Sequence, residues 1–250
     1  MNAHREGMLA KPALESLKRA ALIAEAAGLE VEVIVVLDRC DTATRDVVAR
    51  HDMENFITIE TDFGDLGMAR NDAVVNAKSE YVAFLDADDL WGANWLTQAV
   101  RTASAHNSKA VIWHPEVSVY IGVEPYVFRH IDMGDKDFNP SSLMIENYWT
   151  ALSFGPRAIY LDNPFPDNDL TDGFGFEDWA WNMHTISRGI VHKIVPGTGH
   201  IIRRREQSLS RQTIDAKAVH RPTQYLKHYI QSRMGEIANT FCVISGVRTE

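Results

Sequence analysis

The chain has 250 residues, enough for one large domain or two small ones, with 45% hydrophobic and 24% charged residues, ordinary values for a globular protein. A formal net charge of -9, with Arg203-Arg204-Arg205 as the longest basic run, argues against a nucleic-acid track. Two cysteines, Cys40 and Cys242, supply neither a disulfide framework nor a metal-ligand pair, and no apolar run reaches the roughly 18 residues of a membrane span. The polar start, residues 1–6, lacks the apolar core of a signal peptide.

In chain order, Leu14, Leu17, Ala21 and Ala24 recur at helical spacing, so residues 12–27 are predicted helical, with Gly28 as the stop. The β-branched run 31–37 reads as a strand buried on both faces. Asp41 or Thr42 caps a helix to about residue 50, a second strand covers 56–60, and 69–77 reads as helix. The apolar run 81–85 is a third strand that ends in Asp86-Ala87-Asp88-Asp89, and 95–105 is again helical. Alternation of this kind predicts a parallel sheet flanked by helices. After residue 107 the rhythm changes, with short strands at 110–113, 117–121 and 126–131, a helix from 139 to about 147, and a Pro/Asp/Gly-rich loop over 164–175. A helix at 177–187, strands at 190–195 and 200–204, and an amphipathic helix at 222–238 complete the chain. Three segments are expected: 1–107, a nucleotide-binding half; 108–221, an acceptor-binding half of the same domain; and 222–250, a C-terminal helix and tail.

Several groups of residues can carry chemistry. Asp86, Asp88 and Asp89 crowd like charges at a strand end, which calls for a cation or hydrogen-bond donors. Mg²⁺ and Mn²⁺ favour carboxylate and phosphate oxygens, although a solvated acidic loop with Asp89 as helix cap has the same sequence. Asp38 ends a strand where it can accept from a base imide or a ribose hydroxyl, or simply form a turn. Arg70, at a helix start, can reach a carboxylate or a phosphate. In the run 173–181, Glu177 and Asp178 open a helix beside Trp179 and Trp181. A carboxylate there can serve as general base or merely favour the helix N-terminus, and the indoles are core or a platform for a sugar ring. His200 precedes Arg203, Arg204 and Arg205, cations suited to a departing diphosphate or to an exposed basic strand.

These pieces in this order resemble glycosyltransferase family 2, the inverting GT-A enzymes. The resemblance rests on Asn2-Ala3-His4-Arg5-Glu6 with the first helix, the run 33–38 with Asp41-Thr42, Gly67-Met68-Ala69-Arg70-Asn71, the run 80–89, Glu177-Asp178-Trp179 with Arg188-Gly189, and Ser208-Leu209-Ser210-Arg211. It implies an α/β fold of the GT-A, Rossmann-like type with a mixed sheet, and a metal-dependent transfer of a sugar from a nucleotide donor, with UDP expected, to a hydroxyl of a glycan or lipid-linked acceptor. Ala3, His4, Glu6, Asp38, Arg70, Asp86 and Ala87 would then bind the nucleotide. Asp88 and His200 would hold Mn²⁺ or Mg²⁺. Asp178 would deprotonate the acceptor, with Glu177 as the other candidate, and Trp179, Arg203 and Arg205 would contact diphosphate or acceptor. The expected location is cytoplasmic, with the inner face of the membrane and a peripheral association left open. The chain departs from the family in three places: the first strand is expected to be missing ahead of Asn2, Leu37 stands where the family often has a second Asp, and Arg39-Cys40 replaces a usual Gly-Ser. A sugar-phosphate nucleotidyltransferase and a non-catalytic nucleotide- or glycan-binding module are the alternatives.

Overall fold

The computed structural model describes residues 1–53, 56–206 and 208–231. Its first strand, β1 (Asn2–Ala3), pairs in parallel with β2 (Val33–Asp38), which pairs in parallel with β3 (Phe56–Thr61). On its other side, Asn2 donates its backbone N–H to Leu85 O at 3.0 Å, and its own carbonyl accepts from Ala87 N at 2.9 Å. The expected gap at the first strand is therefore absent. Two buried residues suffice to close the sheet, because backbone pairing needs no apolar run. Beyond Leu85–Asp86, β4 (Tyr81–Ala83) leads into a mixed sheet with β8 (Phe154–Pro156), β6 (Val111–Gly122), β9 (Val191–Arg204) and β5 (Leu90–Trp91), and β7 (Tyr126–Arg129) forms a hairpin on β6.

All six residues of β2 are buried, as its β-branched run requires. Helix α1 (Ala10–Ala26) lays Leu14 and Leu17 on this sheet, and α4 (Trp95–Ala105) adds Trp95 and Ala99 to the same core. Asp41 caps α2 (Thr42–Ala49) by accepting from Thr44 N at 2.8 Å, as the sequence suggests. Asp65 does the same for α3 (Leu66–Asn76) through Met68 N, also at 2.8 Å.

The second half differs more from expectation. The strands expected at 110–113 and 117–121 are one strand, β6, and those at 190–195 and 200–204 are one strand, β9. Pro115 and Pro196 look like breaks in sequence, but they sit where the two strands share an irregularity: pairing passes from Pro115–Val195 to Val117–Gly199. The helix expected over 139–147 is only a single 3₁₀ turn, Ser142–Met144. Strand β8 and the short helix α5 (Arg157–Asp162) were not expected; Pro156 hides the junction between them. Helix α6 (Glu177–Ser187) matches the expected span. Helix α7 (Leu209–Asp215), which Ser208 caps through Arg211 N at 3.2 Å, was also not expected. The last helix is seen over 224–231, and its expected continuation to 238, like Cys242, lies outside the described residues.

Behind β6 and β9 lies a chain of buried neutral imidazoles. The Thr185 hydroxyl donates to the carbonyls of Trp181 and Asn182, so it can only accept from His192 Nε2 at 2.8 Å. His192 Nδ1 is thereby an acceptor, and His114 Nε2 donates to it at 2.9 Å. Trp149 stacks on His192 and His114, which joins the loop before β8 to α6.

Candidate active site

A single cleft of about 810 Å³ runs along the carboxyl ends of β1, β2 and the residues after β4, and is closed on the far side by α6, the β6–β7 hairpin and the end of β9. Open α/β sheets place ligands at such strand ends. Ala3, His4, Glu6, Asp38, Arg70, Asp86, Asp88, Glu177, Asp178, Trp179, Arg203 and Arg205, all singled out in the sequence, line it together.

Asp38 is fixed by its neighbours. Its Oδ1 accepts from Thr61 Oγ1 at 3.0 Å and from Phe63 N at 2.7 Å, and its backbone carbonyl accepts from His4 Nδ1 at 2.5 Å. Arg39 takes a left-handed backbone at φ 46°, where glycine is easier, and pairs with Asp62. Glu6 turns back to accept from His4 N at 2.7 Å.

Arg70 is the hinge pin of the site. It is 1% exposed, and its guanidinium donates through Nη1 to Glu177 Oε1 at 2.7 Å and through Nη2 to Asp86 at 3.0 and 3.2 Å. Burial works against its charge, and Asp86, Glu177 and Asp178 more than offset that, holding its pKa above the ordinary value. The glycine before it is required: a Cβ at Gly67 would meet Pro166 O at 2.6 Å and Glu177 Cγ at 3.3 Å.

Asp88 pairs with Arg205 Nε at 2.8 Å, and Glu6 stands 3.9 Å from the same guanidinium. Burial pushes the Asp88 carboxyl up to about 6; Arg205 opposes this, while Asp86 and Glu6 add to it. The carboxylates of Asp86, Asp88 and Glu6, with Arg70 on Asp86 and Arg205 beside Asp88 and Glu6, have the oxygen-donor chemistry that Mg²⁺ or Mn²⁺ selects. These residues suit such an ion in donor type, although their oxygens do not form a tight ligand group in this structure. Among the described residues, the tight group of ligand-type side chains Glu15, His51 and Asp52 lies outside the cleft, and Lys18 already pairs with Asp52 there at 2.7 Å.

Three expectations need correction. His200 does not reach this corner: it is fully buried, with its ring 4.7 Å from Trp95 in the core behind the strand. Ala87 does not line the cleft either; it is buried and serves through its backbone N–H to Asn2. Asp89 caps no helix: its Oδ1 accepts from Arg203 N at 2.7 Å and so ties the acidic turn to β9. Sequence spacing gives the strand but not which face of it looks into the cleft.

On the opposite wall, Phe176 adopts φ 56°, a left-handed backbone that turns the chain into α6 and presents Glu177 and Asp178 at its start. Asp178 Oδ1 accepts from Trp179 N at 2.8 Å. Burial and the neighbouring Glu177 push its carboxyl up to about 7, against the pull of Arg70. Trp179 is pinned by its Nε1–H to Leu143 O at 2.7 Å. Sequence reasoning missed Tyr120 and Tyr126, stacked with centroids 4.3 Å apart, and Asn147, which donates to Asp178; no motif marks them.

Comparison with known proteins places this geometry. The family model described as Glycosyl transferase family 2 matches residues 1–165. A poly(ribitol-phosphate) beta-glucosyltransferase of Bacillus spizizenii is 25% identical over 146 residues, 57% of this chain and 22% of that protein. The structure of S. aureus TarS 1-349 in complex with UDP-GlcNAc superposes with a TM-score of 0.59 at 18% identity, over 83% of this chain and 59% of that one. The mannosyltransferase PcManGT from Pyrobaculum calidifontis, in complex with GDP-Man and Mn²⁺, gives a TM-score of 0.56 at 17% identity, over 83% and 57% of the two chains. The chain thus spans about a fifth of the curated relative and under two thirds of these solved chains. Its fold is the GT-A fold, and the chain belongs to glycosyltransferase family 2.

Proposed function

We propose that the chain transfers a sugar, with inversion, from a UDP-linked donor to a hydroxyl of a glycan or lipid-linked acceptor, with Mn²⁺ or Mg²⁺ as cofactor. The observation that carries this reading is one cleft with Asp38, Asp86 and Asp88 on one wall and Asp178 on the other. Asp38 and Asp86 accept from the nucleoside. Asp88, with Asp86 and Glu6 beside it, would hold the metal ion, which would supply Lewis-acid help to the leaving diphosphate. Arg203 and Arg205 meet the charge that develops there.

Asp178, rather than Glu177, is the base. Glu177 is committed to Arg70 at 2.7 Å, whereas no cation pairs directly with Asp178 among the described residues, and its carboxyl, at about 7, is poised near working pH. The acceptor oxygen attacks the anomeric carbon from the side opposite the diphosphate and loses its proton to Asp178. The bond from the anomeric carbon to the diphosphate oxygen breaks, and its electron pair leaves with the nucleotide. The Tyr120–Tyr126 stack and Trp179 offer apolar faces to the acceptor. The named relative acts on poly(ribitol-phosphate), which supports a cell-envelope polymer as acceptor, met at the inner face of the membrane.

A thermal-shift panel of nucleotide sugars, with and without Mn²⁺, tests this. A UDP-sugar should stabilise the protein in a Mn²⁺-dependent way, and Asp88→Ala should abolish the metal-dependent part. Asp178→Asn should keep donor binding and lose about 10²–10⁴-fold in transfer. Unchanged metal-dependent binding in Asp88→Ala would sink the reading.

A further inference from the structure

Asn147 reaches Asp178 from outside the helix that carries it. Its Nδ2 donates to Asp178 Oδ2 at 3.3 Å, and its Oδ1 accepts from Asn182 Nδ2 at 3.0 Å. Asn182 lies one turn along α6 from Asp178 and is 2% exposed. The three side chains therefore form an open loop that leaves α6 at Asp178 and returns to it at Asn182. The amide polarity of Asn147 is set by this arrangement: with its oxygen taken by the Asn182 donor, only its NH₂ can face the carboxylate. The backbone at 147 has little freedom to drift. Tyr148 and Trp149 are buried next to it, the Tyr148 hydroxyl donates to Asn139 O at 3.2 Å, and Trp149 Nε1 donates to Ile131 O at 2.8 Å.

We propose that Asn147, oriented by Asn182, is a positioning residue for Asp178: it fixes the rotation of the carboxylate and lowers its proton affinity. The inference rests on the reading of Asp178 as base. Among the described residues, the other hydrogen-bond donor to Asp178 is the Trp179 N–H, on Oδ1. A donor on Oδ2 favours the charged form, which burial and Glu177 oppose. Asn147 thus keeps a usable fraction of Asp178 ionised while turning its free lone pairs towards the cleft. The arrangement also couples the base to the wall that receives the acceptor, because residue 147 belongs to the segment between the β6–β7 hairpin and β8.

The test is a carboxyl ¹³C titration of the full chain labelled at aspartate, with the Asp178 signal assigned by its loss in Asp178→Asn. Asn147→Ala should raise the Asp178 midpoint by about one pH unit, and Asn147→Asp should raise it further, because two carboxylates then share the site. Asn147→Ser, which keeps a small donor, should fall between the native chain and Asn147→Ala. The acid limb of nucleotide release from the UDP-sugar should move by the same amounts, with donor KM unchanged. An unmoved Asp178 midpoint in Asn147→Ala and Asn147→Asp, with both variants melting as folded proteins, overturns the inference. If Asp178→Asn itself keeps transfer activity, the reading of the base fails first, and the positioning role fails with it.

Discussion

Residues 1–107 and residues 108–221 build the two walls of the cleft by different means. In the first, short parallel strands end together and deliver Asp38, Asp86 and Asp88 to one edge through backbone topology, with helix caps at Asp41 and Asp65 fixing the turns between. In the second, two long strands run from the core to the cleft, and the site is held by side-chain networks: His114–His192–Thr185, Asn182–Asn147–Asp178 and the indole bonds of Trp149 and Trp179. The first wall is placed by secondary structure, and the second by buried polar contacts, each costly to lose.

The sharpest way to separate the walls is pH. Burial holds His114 and His200 well below the ordinary imidazole value and brings His130 and His192 down to about 3. These rings take up protons in the unfolded chain first, so the stability they contribute is present above about 6.5 and is lost as pH falls towards 3. Asp88 at about 6 and Asp178 at about 7 run the other way. Their raised values favour the fold below about 4, and that contribution is lost as pH rises through 6 and 7. Four lowered imidazoles outweigh two raised carboxylates, so native stability should still rise with pH between about 4.5 and 6.5, less steeply than the histidines alone would make it. The double variant Asp88→Asn/Asp178→Asn should expose the histidine slope, about 1.4 kcal/mol per pH unit for each ring. Urea titrations at several pH values check this, and a double variant that tracks the native profile breaks the distinction.

Arg70 is where the walls meet. Arg70→Met should cost about 3–5 kcal/mol, because it leaves Glu177 buried without its cation. Adding Glu177→Met should recover much of that loss, as buried pairs can often be exchanged for well-packed apolar side chains. Denaturant unfolding of the single and double variants measures both. If the second substitution adds to the first loss, the pairing is not the source of the effect.

The smallest expected effect belongs to the first wall. Asp65→Ala removes the cap of α3 and should cost about 1 kcal/mol. It also frees Asn168, whose backbone N–H donates to Asp65 Oδ2 at 2.8 Å, so amide exchange should quicken in the loop 164–175 more than in α3. Equal protection in both segments would show that the cap holds only its own helix.

The difference between the walls also decides what could be read from the amino-acid order. Buried runs such as 33–38 and the acidic strand end after Leu85 state their own placement, since a strand end in an open sheet is a position in space. Pro115 and Pro196 mislead, because a proline at a shared irregularity looks the same as a proline that ends a strand. His200 was misplaced for a related reason: the face a residue presents on a long strand depends on where the irregularity falls. The contacts of Asn147 are invisible in sequence, since 31 positions separate it from Asp178 and no short-range rule brings them together. The doubt between Glu177 and Asp178 is one that only the position of Arg70 addresses.

The long pairing of β6 with β9 has a consequence for how such a cleft can diversify. Beyond the irregularity, Tyr120, Ile121 and Gly122 lie level with Ile202, Arg203 and Arg204. Adding or removing a single residue in β6 would swap the face of Tyr120, and in β9 that of Arg203 and Arg204, and would break the match between them. Lengthening the hairpin turn after Gly122, or the segment after Arg205, leaves that ladder untouched. New acceptor preferences are therefore cheapest to acquire at those two ends, while the stretch between them can change only residue by residue.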